Sequence, residues 1–377
     1  MNWKAKPLGS CIEVFDSCRR PVTKKDRVLG PYPYYGASGI VDYVDSYIFE
    51  GLHVLVAEDG ENLRSRKLPI AYLADGRFWV NNHAHVLRAN DENDTRFLSY
   101  MIESLDLSGF ITGSTQPKLS QAALLSIPLR LPKLAEQRRI AELLGTLDNK
   151  IESNQNLAEV IPSLIDAKIH HALSDGSGDS IPVSKLAKFV NGGAYTKEAS
   201  GTGRMVIRIA DLNTGPGAST IYNDIDVPGD RLAHFGDLLM SWSGSLGVYV
   251  WVREEAIVNQ HIFKVILTCF PAWLVHNRLN VALHGFRAIA ADKATTMGHI
   301  QRKHLDETFV EVPIAKLEQL NHLCVPLWNR FISAQLESMR LAELRDALLP
   351  ELMSGRMRVD EAGCLVSEAL DEEVADV

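Results

Sequence analysis

The sequence predicts an α/β (α+β) protein built twice over: two similar mixed α/β domains separated by two long antiparallel helices that form an intramolecular coiled coil. Three observations predict it. The chain repeats itself at a domain-sized offset. Each repeat ends in a long helical run with an apolar stripe. The parts between alternate short apolar strands with turns marked by Gly, Asp and Asn.

The repeat is seen in matched pairs. Leu131-Pro132 answers Val312-Pro313 at an offset of 181, Glu136-Gln137 answers Glu318-Gln319 at 182, and Leu157-Ala158-Glu159 answers Leu341-Ala342-Glu343 at 184. A period near 180 residues is the size of a domain, so a globular domain and its helix have been duplicated.

Residues 1–132 form the first domain. Gly39-Ile40-Val41-Asp42-Tyr43-Val44 and Leu52-His53-Val54-Leu55-Val56 read as strands, with turns at Asp59-Gly60 and Asp75-Gly76. Phe97, Leu98, Met101, Ile102 and Leu105 have helical spacing. Lys24, Lys25, Arg27, Asn62, Arg64, Arg66 and Lys67 fall in turn-rich stretches, with Tyr35 near the first group. Cations on loops suit phosphate contacts and base-edge hydrogen bonds, and tyrosine adds stacking; a solvated charged face is the plainer alternative. Ser114, Thr115, Gln116 and Lys118 lie in the polar loop before the connecting strand.

Residues 133–176 hold the first helix and its linker. Ile140, Leu144, Leu147, Ile151, Asn154, Ala158, Ile161, Ile165, Lys168 and Ala172 follow alternating steps of four and three, the seam of a heptad. Pro162 removes a backbone donor, so a kink or a break is expected there. The run SDGSGDS from Ser174 supplies the stop.

Residues 177–313 repeat the first domain loosely. VLVAEDG answers LLMSWSG with Gly60 at Gly244, and Val80-Asn81-Asn82-His83 answers Val258-Asn259-Gln260-His261. Residues shared by two domains doing one job on different targets are scaffold or common contacts, and divergent loops carry selectivity. His83 and His261 therefore fit a structural polar cluster at least as well as a functional one. His83-Ala84-His85 lacks a further partner at metal-site spacing, and no metal site is expected. The divergent candidates are Tyr195, Lys197, Arg204, Trp242, Ser243, Ser245, Arg302 and Lys303, with Thr295 and Thr296 as counterparts of the Ser114-Thr115 hydroxyls.

Residues 314–356 form the second helix, with Leu320, Cys324, Leu327, Phe331, Ala334, Ser338, Leu341, Arg345, Leu348 and Leu352 on its stripe. Two stripes in one chain, separated by a domain, seek each other in an antiparallel pair; separate packing of each helix on its own domain is the alternative. Residues 357–377 read as an acidic, disordered tail.

The formal charge of −8 divides unevenly. Residues 1–132 hold 15 Lys+Arg against 15 Asp+Glu, residues 177–313 hold 13 against 13, and residues 351–377 hold 2 against 8. Neutral domains can carry a basic face, so net charge excludes no nucleic-acid partner. Five cysteines without a CxxC pair indicate neither a disulfide framework nor a zinc ribbon. The sequence shows no signal peptide and no apolar span, and a cytoplasmic location is expected. No G-x-x-x-x-G-K-[ST] loop, Asn-Pro dipeptide or Gly-x-Ser-x-Gly occurs, so no catalytic signal for nucleotide hydrolysis, amino-methyl transfer or acyl transfer is present. Asp148 and Asp166 lie on the helix and read as surface charges.

The order YPYYGASGIVDYV, VLVAEDG, GSTQPKLS and LPKLAEQRRIAELL, followed by RMVIRIADLN, FGDLLMSWSG, VNQHIFKV and a second helix, resembles the specificity (S) subunit of type I restriction-modification systems. The resemblance covers residues 1–356. It implies a non-catalytic subunit that reads double-stranded DNA through two target recognition domains, one per half of a bipartite asymmetric site. It also implies helices that set the spacer and dock two methyltransferase (M) subunits, joined by restriction (R) subunits. No cofactor is expected in this chain; S-adenosylmethionine, ATP and Mg would serve the partners. A coiled-coil scaffold, or a specificity subunit for another nuclease or methyltransferase, is the alternative. The second helix region departs from the pattern, with Met297-Gly298 in place of Gln116-Pro117.

Overall fold

The computed structural model describes residue 3 and residues 5–197, 199–292 and 298–375. Ten strands precede the first long helix: β1 (Ala5–Pro7), β2 (Ile12–Val14), β3 (Tyr32–Gly36), β4 (Gly39–Val44), β5 (Phe49–Glu50), β6 (His53–Ala57), β7 (Ala71–Ala74), β8 (Arg77–Val80), β9 (Ala84–Ala89) and β10 (Pro128–Arg130). Between them lie α1 (Asn62–Ser65), α2 (Thr95–Ser104) and α3 (Gln121–Ser126); α4 (Leu134–Leu173) follows. The second half supplies β11 (Asp179–Pro182), β12 (Ala187–Asn191), β13 (Arg204–Ile207), α5 (Ile209–Thr214), β14 (Ile221–Asn223), β15 (Leu232–Ala233), β16 (Leu238–Ser241), β17 (Gly247–Val250), β18 (Ala256–Val258), β19 (Ile262–Leu267), α6 (Ala272–Asp292), α7 (Arg302–Glu307), β20 (Phe309–Val312), α8 (Leu317–Ser354) and α9 (Val359–Ala375).

The repeat is complete at the level of topology. The first domain has sheets ordered β2-β9-β6-β7, β4-β3-β8-β5 and β1-β10; the second has β12-β19-β16-β17, β14-β13-β18-β15 and β11-β20. Each strand has its partner ten strands later. Even the parallel pairs recur, with Tyr34 opposite Trp79 in the first and Val206 opposite Ile257 in the second. Between the two four-stranded sheets lies an apolar layer, built from Phe49, Leu55, Phe78 and Val86 in one domain and Ile207, Leu239, Val258 and Ile262 in the other. β6 (HVLVA) is buried throughout because that layer covers one face and α2 packs beside it.

The helices begin and end by local chemistry. Glu136 sits in the first turn of α4, where the helix dipole favours a negative charge. Gly176 and Gly355 terminate α4 and α8 with φ of 75° and 71°, donating their N–H groups to Leu173 and Leu352. α4 runs unbroken past Pro162, so of the kink or break expected there the break does not occur.

The chain divides into two compact units, residues 1–150 with 340–377 and residues 151–339. Each long helix contributes one half to each unit, where the sequence reading drew the helices as segments of their own. Within the first unit, Ile140, Leu144, Leu147, Leu341 and Leu348 are buried, and Arg345 of α8 reaches Asp148 of α4 at 2.8 Å. Within the second, Ile151, Ile161, Ile165, Leu320 and Phe331 are buried; Ser338 donates to the Ile151 carbonyl and Lys316 to that of Ala172, which fixes an antiparallel run.

The stripe changes period in the second unit. Ile161, Ile165 and Ile169 on α4, and Leu320, Cys324 and Trp328 on α8, are buried in steps of four, so Lys168 and Leu327 are displaced to half-buried positions. Here the helices enter one core with α6 and the β12-β19-β16-β17 sheet, and a globular core imposes no heptad.

The acidic tail is not disordered over its described part. α9 is a helix with Ala362 and Val366 buried, and Asp360 pairs with Arg139 of α4. Its acidic residues flank an apolar stripe, which composition alone hides.

Candidate nucleic-acid interface

In each domain the three repeated motifs converge. In the first, the Glu58 N–H donates to the His83 carbonyl at 2.9 Å, the Leu119 N–H to the Glu58 carbonyl at 2.8 Å, and the Gly60 N–H to the Pro117 carbonyl at 3.1 Å. In the second, Trp242 donates to His261 at 3.1 Å, Ile300 to Trp242 at 3.0 Å, and Gly244 to Gly298 at 3.0 Å. The same three backbone bonds thus tie together the segment after β6 or β16, the segment before β9 or β19, and the polar loop before α3 or α7. Gly60 and Gly244 have φ of 110° and 65°, which makes glycine the residue this crossing accepts without strain.

On this common frame the side chains differ in kind. In the first domain Glu58 accepts from Arg19 at 2.6 Å and pairs with Lys118 at 3.2 Å, while His85 meets Asp16 at 2.5 Å and the Leu119 carbonyl at 2.8 Å. Burial opposes the Glu58 charge, but hydrogen bonds from Arg19 and Lys118 outweigh it and hold the carboxyl below its usual range. Asp16, Glu58 and His85 have ligand chemistry for a cation and lie within 4.8 Å of one another, yet Arg19 and Lys118 already balance the carboxylates. His83 pairs with Asp59 at 2.9 Å. In the second domain the frame carries Trp242, packed on Phe263 and His261, with His299 at 6.5 Å between ring centroids. A charged network and an aromatic cluster occupy equivalent places.

Several predicted residues gather beside the first junction. Arg64 at the end of α1 donates to the carbonyls of Ser114, at 3.0 Å, and Gly113, joining the α1 loop to the polar loop. Ser114, Thr115, Gln116 and Lys67 are exposed there. Arg66 is the one non-glycine residue with positive φ among the described residues, at 46°, and donates to the Glu103 carbonyl. Asn62 exchanges hydrogen bonds with the Leu68 backbone and so shapes that loop from within.

Lys24 and Lys25 are exposed in a short 3-10 turn held by a different part of the domain. Arg27 is engaged there with Asp42 at 2.9 Å and over the Tyr34 ring; that hydrogen bond holds the Asp42 carboxyl below its usual range. Tyr35 packs against Phe78 and Tyr72, and burial, with Tyr43 nearby, pushes its phenol upward.

In the second domain Ser243 bridges the His299 backbone, and Ser245, two residues on, is exposed. Arg302 donates to the Phe189 carbonyl at 2.7 Å, beside exposed Lys303. Tyr195 accepts from Arg231 at 3.0 Å and Arg204 pairs with Glu255 at 2.9 Å, both on the β14-β13-β18-β15 side, where Lys197 is exposed. Thr295 and Thr296 lie outside the described residues. Sequence reasoning missed Arg19, Asp16, Glu58 and His299. The signal was the pair of acids closing a fully apolar strand in VLVAEDG.

Comparison with known proteins follows the same lines. The family described as type I restriction modification DNA specificity domain matches residues 1–163. A putative type I restriction enzyme specificity subunit of Haemophilus influenzae is 38% identical over 148 residues, which is 39% of this chain and 37% of that relative. The MjaIX specificity subunit of Methanocaldococcus jannaschii is 21% identical over 96% of this chain and 94% of its own length. The crystal structure of the type I restriction-modification S subunit from M. genitalium superposes with a TM-score of 0.64 at 15% identity, covering 93% of this chain and 96% of that one, which establishes a shared fold. Motifs and relatives agree in kind: residues 1–163 match the type I restriction modification DNA specificity domain, and the chain is similar along most of its length to a type I specificity subunit.

Proposed function

We propose that this chain selects DNA sequence for a type I restriction-modification complex, each domain reading one half of a bipartite asymmetric site, and that it catalyses nothing itself. The observation that carries this reading is the pair of junctions. Two domains keep the same three backbone bonds but set different side chains on them, as expected when one docking geometry serves two different base sequences. One domain reading a few base pairs discriminates by roughly 1–3 kcal/mol per base pair, so two joined domains multiply the selectivity.

Exposed Lys67, Lys197 and Lys303 near the loops supply phosphate contacts, and Arg64 holds the loops in register. The chemistry belongs to partners: methyltransferase subunits using S-adenosylmethionine and restriction subunits using ATP and Mg, working with this chain in the cytoplasm. Among the described residues no helix is long and apolar enough to cross a membrane.

The test is sequencing of methylated DNA from cells carrying this chain with its methyltransferase subunit, against cells lacking only this chain. A bipartite asymmetric motif that disappears with the chain is expected. Methylation that persists unchanged without it refutes the reading.

A further inference from the structure

The two junctions differ in one more respect. In the first domain each polar side chain on the frame has a partner: Glu58 with Arg19 and Lys118, Asp59 with His83, His85 with Asp16 and Leu119. In the second, the indole Nε1 of Trp242 and the imidazole Nδ1 of His261 are covered and have no hydrogen-bond partner. The Gln260 side-chain amide lies 3.2 Å from Nε2 of His261. With the Gln260 amide nitrogen as the donor of that contact, Nε2 accepts and the ring proton is on Nδ1. Two N–H donors, on rings whose centroids are 5.4 Å apart, therefore lack acceptors. A buried donor left unpaired costs folding free energy, and native structures rarely keep one without a use for it.

We propose that Trp242 and His261 form a donor pair that takes up a hydrogen-bond acceptor of DNA and determines specificity for the half-site read by the second domain. The proposal rests on the DNA-reading function above and adds the residues and the chemistry. Trp242 directly follows β16 and His261 directly precedes β19, so both side chains are placed by the backbone bond that joins their segments. Because both nitrogens are covered, contact requires the indole to leave its place on Phe263 as DNA binds. The acceptor is a base-edge atom such as guanine O6 or N7, or a phosphate oxygen; both accept, and the experiment separates them.

The test uses the full chain assembled with its methyltransferase subunits and a pool of randomised double-stranded DNA, comparing wild type with Trp242→Phe and His261→Phe. Both variants keep an aromatic ring and remove the donor; Phe matches the size of His closely and is smaller than Trp. Wild type is expected to enrich a bipartite motif. Each variant is expected to bind that motif roughly tenfold more weakly, and His261→Phe to unfold at a temperature equal to or above wild type because its unpaired donor is gone. Relaxed base preference in one half only identifies a base edge. An unaltered motif with weaker binding and a shallower salt dependence identifies a phosphate oxygen. Unchanged motif and affinity in both variants overturns the proposal, as does a lowered unfolding temperature with both halves weakened equally. If wild type enriches no motif, the DNA-reading function falls and takes this inference with it.

Discussion

Trp242 donates its main-chain N–H to the carbonyl of His261 at 3.1 Å, and Glu58 makes the same bond to His83 at 2.9 Å one domain earlier. The offsets between the matched residues are 184 and 178, so the bond has survived insertions on either side of it. A backbone bond tolerates any side chain, which lets the frame persist while an acid is exchanged for an indole. The crossing also depends on the residues two places beyond those N–H groups, Gly60 and Gly244.

Gly244→Ala forces a Cβ onto a left-handed backbone at φ 65°. Destabilisation of about 1 kcal/mol or somewhat more is expected, read by denaturant unfolding. Recognition should weaken for the half-site of the second domain alone, and an equal loss in both halves would refute the separation of roles.

Arg64 holds two successive carbonyls, those of Gly113 and Ser114. A lysine cannot reproduce that fork. Arg64→Lys should therefore loosen the polar loop and cost about 1 kcal/mol of binding, several-fold in affinity, for targets altered in neither half. Its effect should vanish on DNA whose first-domain half-site is already scrambled.

Lys67 is exposed beside the same loop. As a phosphate contact it carries no sequence information, so Lys67→Ala should weaken binding to all sequences alike. The slope of log affinity against log salt should become shallower by about one. Titrations at several salt concentrations measure it.

Arg345 and Tyr100 both bind Asp148, at 2.8 and 2.5 Å, which makes Asp148 a joint between α2, α4 and α8 within the first unit. Asp148 is thus a surface charge that is engaged by two partners. Burial and the Asp148 carboxylate together push the Tyr100 phenol upward. Arg345→Met should cost about 1 kcal/mol or less, since the pair remains partly solvated.

His276 on α6 packs against Trp328 and Phe331, and burial pushes its imidazole down from 6.5 to about 4. Above pH 6.5 both folded and unfolded states are neutral and the group is without effect. As pH falls from 6.5 to about 4, the unfolded chain takes a proton that the folded one refuses, so stability falls across that window. The shift bounds the loss at about 3 kcal/mol, from ~1.4 per pKa unit. His276→Phe should flatten this part of the stability–pH curve while leaving the region above pH 6.5 in place.

The sequence by itself determined the duplication, the strand-rich domains and the two long helices, because each leaves a local record. Apolar spacing fixes a helix face, glycine marks the stops at Gly176 and Gly355, and matched dipeptides survive at nearly constant offset. Tertiary structure alone decided three things. The seam in the second unit steps by four, since α6 and a sheet share that core and select Ile169 and Trp328 over Lys168 and Leu327. The acidic end forms α9, because burial of Ala362 and Val366 outweighs the repulsion that composition records. The candidate site was legible as three scattered motifs but not as one place. Hydrogen bonds joining residues more than twenty apart, such as Glu58 to His83 and Trp242 to Ile300, leave no periodicity in the chain, and only folding brings them together.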